Sequence, residues 1–308
     1  GYAMDWAFPK IFETGRHYDA FCVFDADNLV HLDFLAVMNT RLMKGQKVLQ
    51  GYLSAKNPVD TWVSGTFAIA FWTVNHLWHL GKYNLGLSSC LGGTGMCISA
   101  DIVREFGWGC DCLTEDMEFS MKCLSHGIRT CWVHDAIIYD EKPLTFMASW
   151  RQRKRWAQGQ FDCSERYIPI LMKEGFKRHS IVVLDGIMQL LQNYFLLISA
   201  FYLVMTYINM FYPCFTVVLY NDALVPRQFW SVLGTIQYVL PLIVLLQIEV
   251  PAKIYLYWLI YPVFMYSWVP VTFLGWIHRH EKQWVHTIHT RSMQFQAASL
   301  TRKKEIDS

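Results

Sequence analysis

The chain has 308 residues, of which 53% are apolar, 16% aromatic and only 17% charged, with a net charge of +2. A soluble domain carries about 25% charged residues, so part of this chain is expected in lipid. The near-neutral balance argues against nucleic acid as a partner, since that role needs a broad basic surface.

The chain opens Gly-Tyr-Ala-Met-Asp-Trp, with no initiator methionine and no signal peptide, and reads as a fragment entered in mid-helix. Ala20 to Phe24 is a continuous apolar run stopped by Asp25, the pattern of a buried parallel strand. Asp33 precedes Phe34, Leu35, Val37, Met38 and Leu42, a capped helix. Thr61 to Trp78 is rich in Trp and Phe and suits either a helix lying on a membrane surface or an ordinary core helix. Gly92 to Gly95 form a flexible loop, and Ser99 caps a short helix from Asp101 to Phe106. Leu113, Met117, Met121 and Leu124 share one face of a helix that Gly127 ends, and Thr130 to Tyr139 reads as a further strand. This alternation predicts an α/β domain over residues 1–180 on a parallel sheet, with ligands at the C-terminal ends of the strands.

From Ile181 the chain becomes apolar. Three crossings are predicted within 181–277: Tyr194 to Tyr220, Phe229 to Ile248, and Ile254 to Ile277, with Tyr and Trp at their ends. Residues 278–308 form a basic tail that points to the cytoplasm. Three crossings would put that tail opposite the first domain, so either 181–220 hides two crossings or one segment is re-entrant. The nine cysteines lie mostly in apolar runs without zinc-site spacing, and read as reduced core thiols on the cytoplasmic side.

Three polar clusters carry the chemistry. Asp25 and Asp27, one residue apart after a strand, can share Mg²⁺ or Mn²⁺ with diphosphate oxygens, or can simply close the strand in an Asx turn. Glu115 and Asp116 open a helix behind Thr114, where the helix dipole favours an ionised carboxylate, whether as a base or only as dipole complement. Gln152, Arg155 and Trp156 fall on one helical face, with a guanidinium fork for phosphate and a flat ring for a sugar. Arg151, Arg153 and Lys154 in the same run also suit a basic helix on anionic lipid.

Taken in order, Asp25-Ala-Asp27, Gly93-Thr94-Gly95, Thr114-Glu115-Asp116 and Gln152-Arg-Lys-Arg155-Trp156 resemble the membrane-bound family 2 glycosyltransferases, which include cellulose, chitin, hyaluronan and poly-N-acetylglucosamine synthases. The resemblance implies the later part of a GT-A-type, Rossmann-like domain whose first strands are missing, followed by transmembrane helices. It implies an inverting transfer from a UDP-sugar to a glycan or lipid-linked acceptor, in a multi-pass plasma-membrane protein with its catalytic part in the cytoplasm. On that pattern Asp27 would ligate the metal with Asp25 beside it on the nucleotide side. Asp116 would be the general base, and Gln152 and Arg155 would hold the donor diphosphate. Trp156, Glu115, Thr114, Gly93, Thr94 and Gly95 would line the acceptor. Trp284, Thr290 and Arg291 look like a stretched gating segment, or else a juxtamembrane basic anchor. A single-addition enzyme similar to ceramide glucosyltransferases is the catalytic alternative. A scaffold or transporter without chemistry is the other class, and it calls for ionisable groups inside the crossings, which Tyr194 to Tyr220 and Phe229 to Ile248 lack.

Overall fold

Strand β3 (Val48–Ala55) is buried at all eight positions and forms the middle of a five-stranded sheet in the computed structural model, which describes residues 1–212 and 227–281. The other strands are β1 (Ala20–Val23), β2 (Leu29–Val30), β4 (Met96–Ser99) and β5 (Thr130–Asp140), in the order β1-β4-β3-β5-β2. The sheet is mixed, which corrects the expected parallel one: only β3 and β5 run parallel, while β1/β4, β3/β4 and β2/β5 are antiparallel. The cause is where the chain enters β4. The Gly92–Gly95 loop reaches the sheet at the end where β1 finishes, so β4 must run back along β1. β1 is therefore a half-buried edge strand rather than a fully covered one.

Helix α1 (Tyr2–Glu13) packs Phe8 against Phe21 and Trp108. Helix α2 (Phe34–Met43) buries Phe34 and Met38 on one face of the sheet against Leu49 and Val133. The other face carries α3 (Trp62–Thr73), whose Val63, Phe67, Ala68, Ile69 and Trp72 are buried. Thr61 caps it reciprocally with Ser64. This burial fits the core-helix alternative over Trp62–Thr73, while Val74 and Leu77 farther along stay exposed. Past Thr73 it widens into π-helical turns at Val74–His79 and ends in α4 (Leu80–Asn84).

After α5 (Ala100–Phe106) and α6 (Glu115–Ser125) comes the long helix α7 (Phe146–Lys177), which packs against α6 and against the later helices Ile181–Phe211 and Trp268–Ile277. Arg153 on α7 is fully buried: it donates to Ser267 Oγ at 2.8 Å, and its guanidinium lies 4.5 Å from the Phe264 ring and 5.1 Å from that of Trp268. It therefore joins helices rather than binding anionic lipid, which removes it from the expected lipid-facing set while Arg151 stays exposed.

The apolar part consists of α8 (Ile181–Phe211), α9 (Arg227–Gln247), α10 (Lys253–Tyr266) and α11 (Trp268–Ile277). Two stretches among the described residues are long and apolar enough to cross a membrane, Ile181–Met205 and Lys253–Ile277, while Val232–Gln247 is shorter. The first begins at Ile181, before the predicted start at Tyr194, and contains Asp185, which pairs with Lys82 at 2.7 Å; the predicted end at Tyr220 lies outside the described residues. One apolar cluster includes Tyr52, Phe67 and Trp132 together with Val244, Ile254 and Phe264, so the core runs across the expected boundary near residue 180. The cysteines among the described residues are free thiols, and all but Cys22 are buried.

Candidate active site

Asp25 follows the last residues of β1, and its position is fixed by the Gly92–Gly95 loop. The Asp25 N–H donates to Thr94 Oγ1 at 3.0 Å, and Asn28 Nδ2 donates to the same oxygen. The loop itself is held rather than flexible. Gln50, on the central strand, receives the Gly92 N–H at 2.8 Å and donates to the Thr94 carbonyl at 3.0 Å, while Gly95 receives the Gly51 N–H at 2.8 Å. Replacing Thr94 by Val leaves two donors without their acceptor, each costing about 1–3 kcal/mol if it stays dry. We expect Thr94→Val to lower the melting temperature and Thr94→Ser to restore it, as calorimetry of the three proteins would show.

Asp116 enters from the second residue of α6. Its Oδ1 accepts the Met117 N–H at 2.8 Å, which leaves Oδ2 directed at Gly93, where a Cβ would stand only 3.4 Å away. Gly93 also has a φ of +81°, so both the close approach and the backbone conformation favour glycine. Burial, and then the neighbouring Glu115 charge, push the Asp116 carboxyl up to about 7, opposed by the Met117 N–H and Arg155. Some of its surface remains open to solvent. A carboxyl poised there exchanges protons near neutral pH.

Arg155 arrives from α7. Its guanidinium lies close enough to Glu115, Asp116 and Asp25 for all three charges to oppose the effect of its burial. One cation is thus within electrostatic reach of two of the clusters from the third. Gln152, one turn before it, has a buried Oε1 without a hydrogen-bond partner. Trp156 meets Phe67 edge-on at 5.9 Å and Phe71 at 6.2 Å, so its ring rests on α3. Thr114 occupies the cap position of α6 but makes no capping bond. It is buried against α7, where a Cβ on Gly159 would come within 2.6 Å of its Oγ1. Trp284, Thr290 and Arg291 lie outside the described residues.

Three supports were not singled out in the sequence. Glu118 accepts the N–H groups of Asp111 and Cys112, both at 2.9 Å, and holds the turn before Thr114. Arg166 on α7 bridges Glu118, Asp111 and Asp162, tying α6 to α7. Gln50 carries the loop. Its signal is a polar side chain in the middle of a wholly buried strand.

For a divalent cation, Asp25 and Asp27 offer hard oxygen donors one residue apart, and the Lys56 ammonium stands 3.7 Å from Asp27 Oδ2 as a cation already accepted there. Among the described residues no third acidic, His or Cys side chain completes a protein-only site. The donor set fits a Mg²⁺ or Mn²⁺ ion that takes its other ligands from phosphate and water.

The family model described as glycosyl transferase family group 2 matches residues 20–276, which takes in all the clusters above and most of the apolar helices. The chain belongs to that family. A 144-residue stretch is 26% identical to the probable glycosyltransferase YdaM of Bacillus subtilis (strain 168), covering 46% of this chain and 34% of that protein. The chain thus spans about a third of the length of the curated relative it matches.

Proposed function

We propose that this family group 2 chain carries the catalytic groups of an inverting enzyme that moves a hexose or N-acetylhexosamine from a UDP-sugar to a growing β-linked glycan at a membrane. The observation that carries the reading is Arg155, whose guanidinium feels Asp25, Glu115 and Asp116 at once. In this reading the diphosphate lies beside Arg155, a cation joins it to Asp25, and the sugar is directed at Asp116.

The acceptor hydroxyl gives its proton to Asp116, whose Oδ2 faces Gly93, as its oxygen attacks the anomeric carbon opposite the nucleotide. The bond from that carbon to the diphosphate breaks, and its electron pair leaves on UDP. A divalent ion held by Asp25 and Asp27 would neutralise charge on the departing diphosphate. Arg155 adds a positive charge on the other side, and Gln152 Oε1, buried beside it in the chain, is the polar group left to fix donor orientation. Trp156, propped by Phe67 and Phe71, gives the acceptor ring a flat surface.

Two helices of membrane length support a site at the bilayer surface, and Phe195, Ile198, Phe201 and Val204 leave one of them apolar on the outside. The test is incubation of membranes carrying the protein with labelled UDP-sugars, with and without Mn²⁺. The reading expects label in long product from one donor and none after chelation. A single sugar on lipid would replace the polymer by the lipid acceptor. No transfer from any nucleotide sugar would overturn the reading.

A further inference from the structure

A buried lysine faces the second aspartate from the protein side. Lys56 follows the last residue of β3, and its backbone N–H donates to the Asp140 carbonyl at 2.9 Å. Its ammonium donates to the Asp27 carbonyl at 2.9 Å and lies 3.7 Å from Asp27 Oδ2 and 3.3 Å from Glu141 Oε2. The Lys56 side chain is only 3% exposed and that of Glu141 only 4%. Asn57 locks this corner by exchanging two hydrogen bonds with the Lys142 backbone, at 2.9 and 2.8 Å.

Burying an ammonium is costly unless it is paired, and Glu141 alone would pair it. Reaching Asp27 through both its carbonyl and its carboxylate goes beyond that need. It sets the backbone and the side chain of one residue against a single positive charge. We propose that Lys56 is a positioning residue that holds Asp27 as a stand-in cation, so that a divalent ion binds there chiefly together with a nucleoside diphosphate. Glu141 sets the strength of that hold by sharing the ammonium. The proposal rests on the reading of Asp25 and Asp27 as a cation site. Free metal must compete with Lys56 for Asp27. A diphosphate brings enough negative oxygen to bind the metal and the ammonium together.

The test is Mn²⁺ binding by electron paramagnetic resonance on the purified full chain, without turnover, with and without UDP. Without UDP, Lys56→Met should tighten Mn²⁺ about 3- to 10-fold, and Glu141→Gln should loosen it by a similar factor, because it leaves the ammonium wholly to Asp27. Lys56→Arg keeps the charge and should bind Mn²⁺ like the wild type. UDP should enhance Mn²⁺ binding less in Lys56→Met than in the wild type, since the competitor it offsets is gone. A merely structural pair predicts loss of affinity in both variants, and that result, or no change in either, overturns the proposal. If wild-type Mn²⁺ binding with UDP is absent or insensitive to Asp27→Asn, the cation site itself falls and the proposal falls with it.

Discussion

Asp116→Asn is expected to lower the transfer rate by about 10² to 10⁴, the usual contribution of a general base, while UDP binding persists. Asn keeps the shape and the hydrogen bond to Met117 but cannot take a proton. A stability effect of opposite sign accompanies the loss. The Asp116 carboxyl sits at about 7 in the folded chain, above its ordinary value of 3.8, so the folded state binds the proton more tightly than the unfolded state. That stabilisation is complete below about pH 4 and is lost as pH rises through about 7. Asn carries no charge at any pH. Melting curves should therefore show the variant above the wild type at pH 8 and equal to it near pH 4. A variant less stable at both pH values would mean that the carboxylate is held by partners rather than strained by burial.

Arg155→Gln is expected to lower the transfer rate by about 10² to 10³, the scale of removing one preorganised charge from a developing anion. It should also move the acid limb of the pH–rate profile upward, because the Arg155 charge is among the groups that hold Asp116 down. Arg155→Lys keeps the charge without the planar fork, and should leave the limb in place while losing part of the rate. Rate profiles of the three proteins separate these roles. A uniform loss at every pH with an unmoved limb in Arg155→Gln would assign Arg155 to structure alone.

Much of the site is legible in the sequence because its parts are local. Asp25 ends an apolar run, Asp116 starts a helix, and Gln152, Arg155 and Trp156 share one helical face through spacing alone. What the sequence hides depends on partners far along the chain. The direction of β1 is decided by β4, which pairs Cys22 with Cys97. β3 escapes a periodicity search because Gln50, Gly51 and Ser54 break its apolar run, although all eight residues are buried. Arg153 reads as surface charge until α10 and α11 close over it with Phe264 and Trp268. Lys56 carries no motif at all, and its meaning comes from Asp27 and Glu141 on either side. The aromatic richness of Thr61 to Trp78 fits lipid or core equally, and only the packing of Phe67 and its neighbours against Tyr257 and Phe264 shows which residues join the core.

The central claim is that segments around residues 25, 116 and 155 enclose one diphosphate. A cryo-electron microscopy map of the protein with UDP and Mn²⁺ tests it most directly. We predict pyrophosphate density between the Asp25–Asp27 turn and the Arg155 guanidinium, with Asp116 facing the open acceptor side. UDP bound elsewhere, or bound with Arg155 and both aspartates turned away from it, would contradict the account.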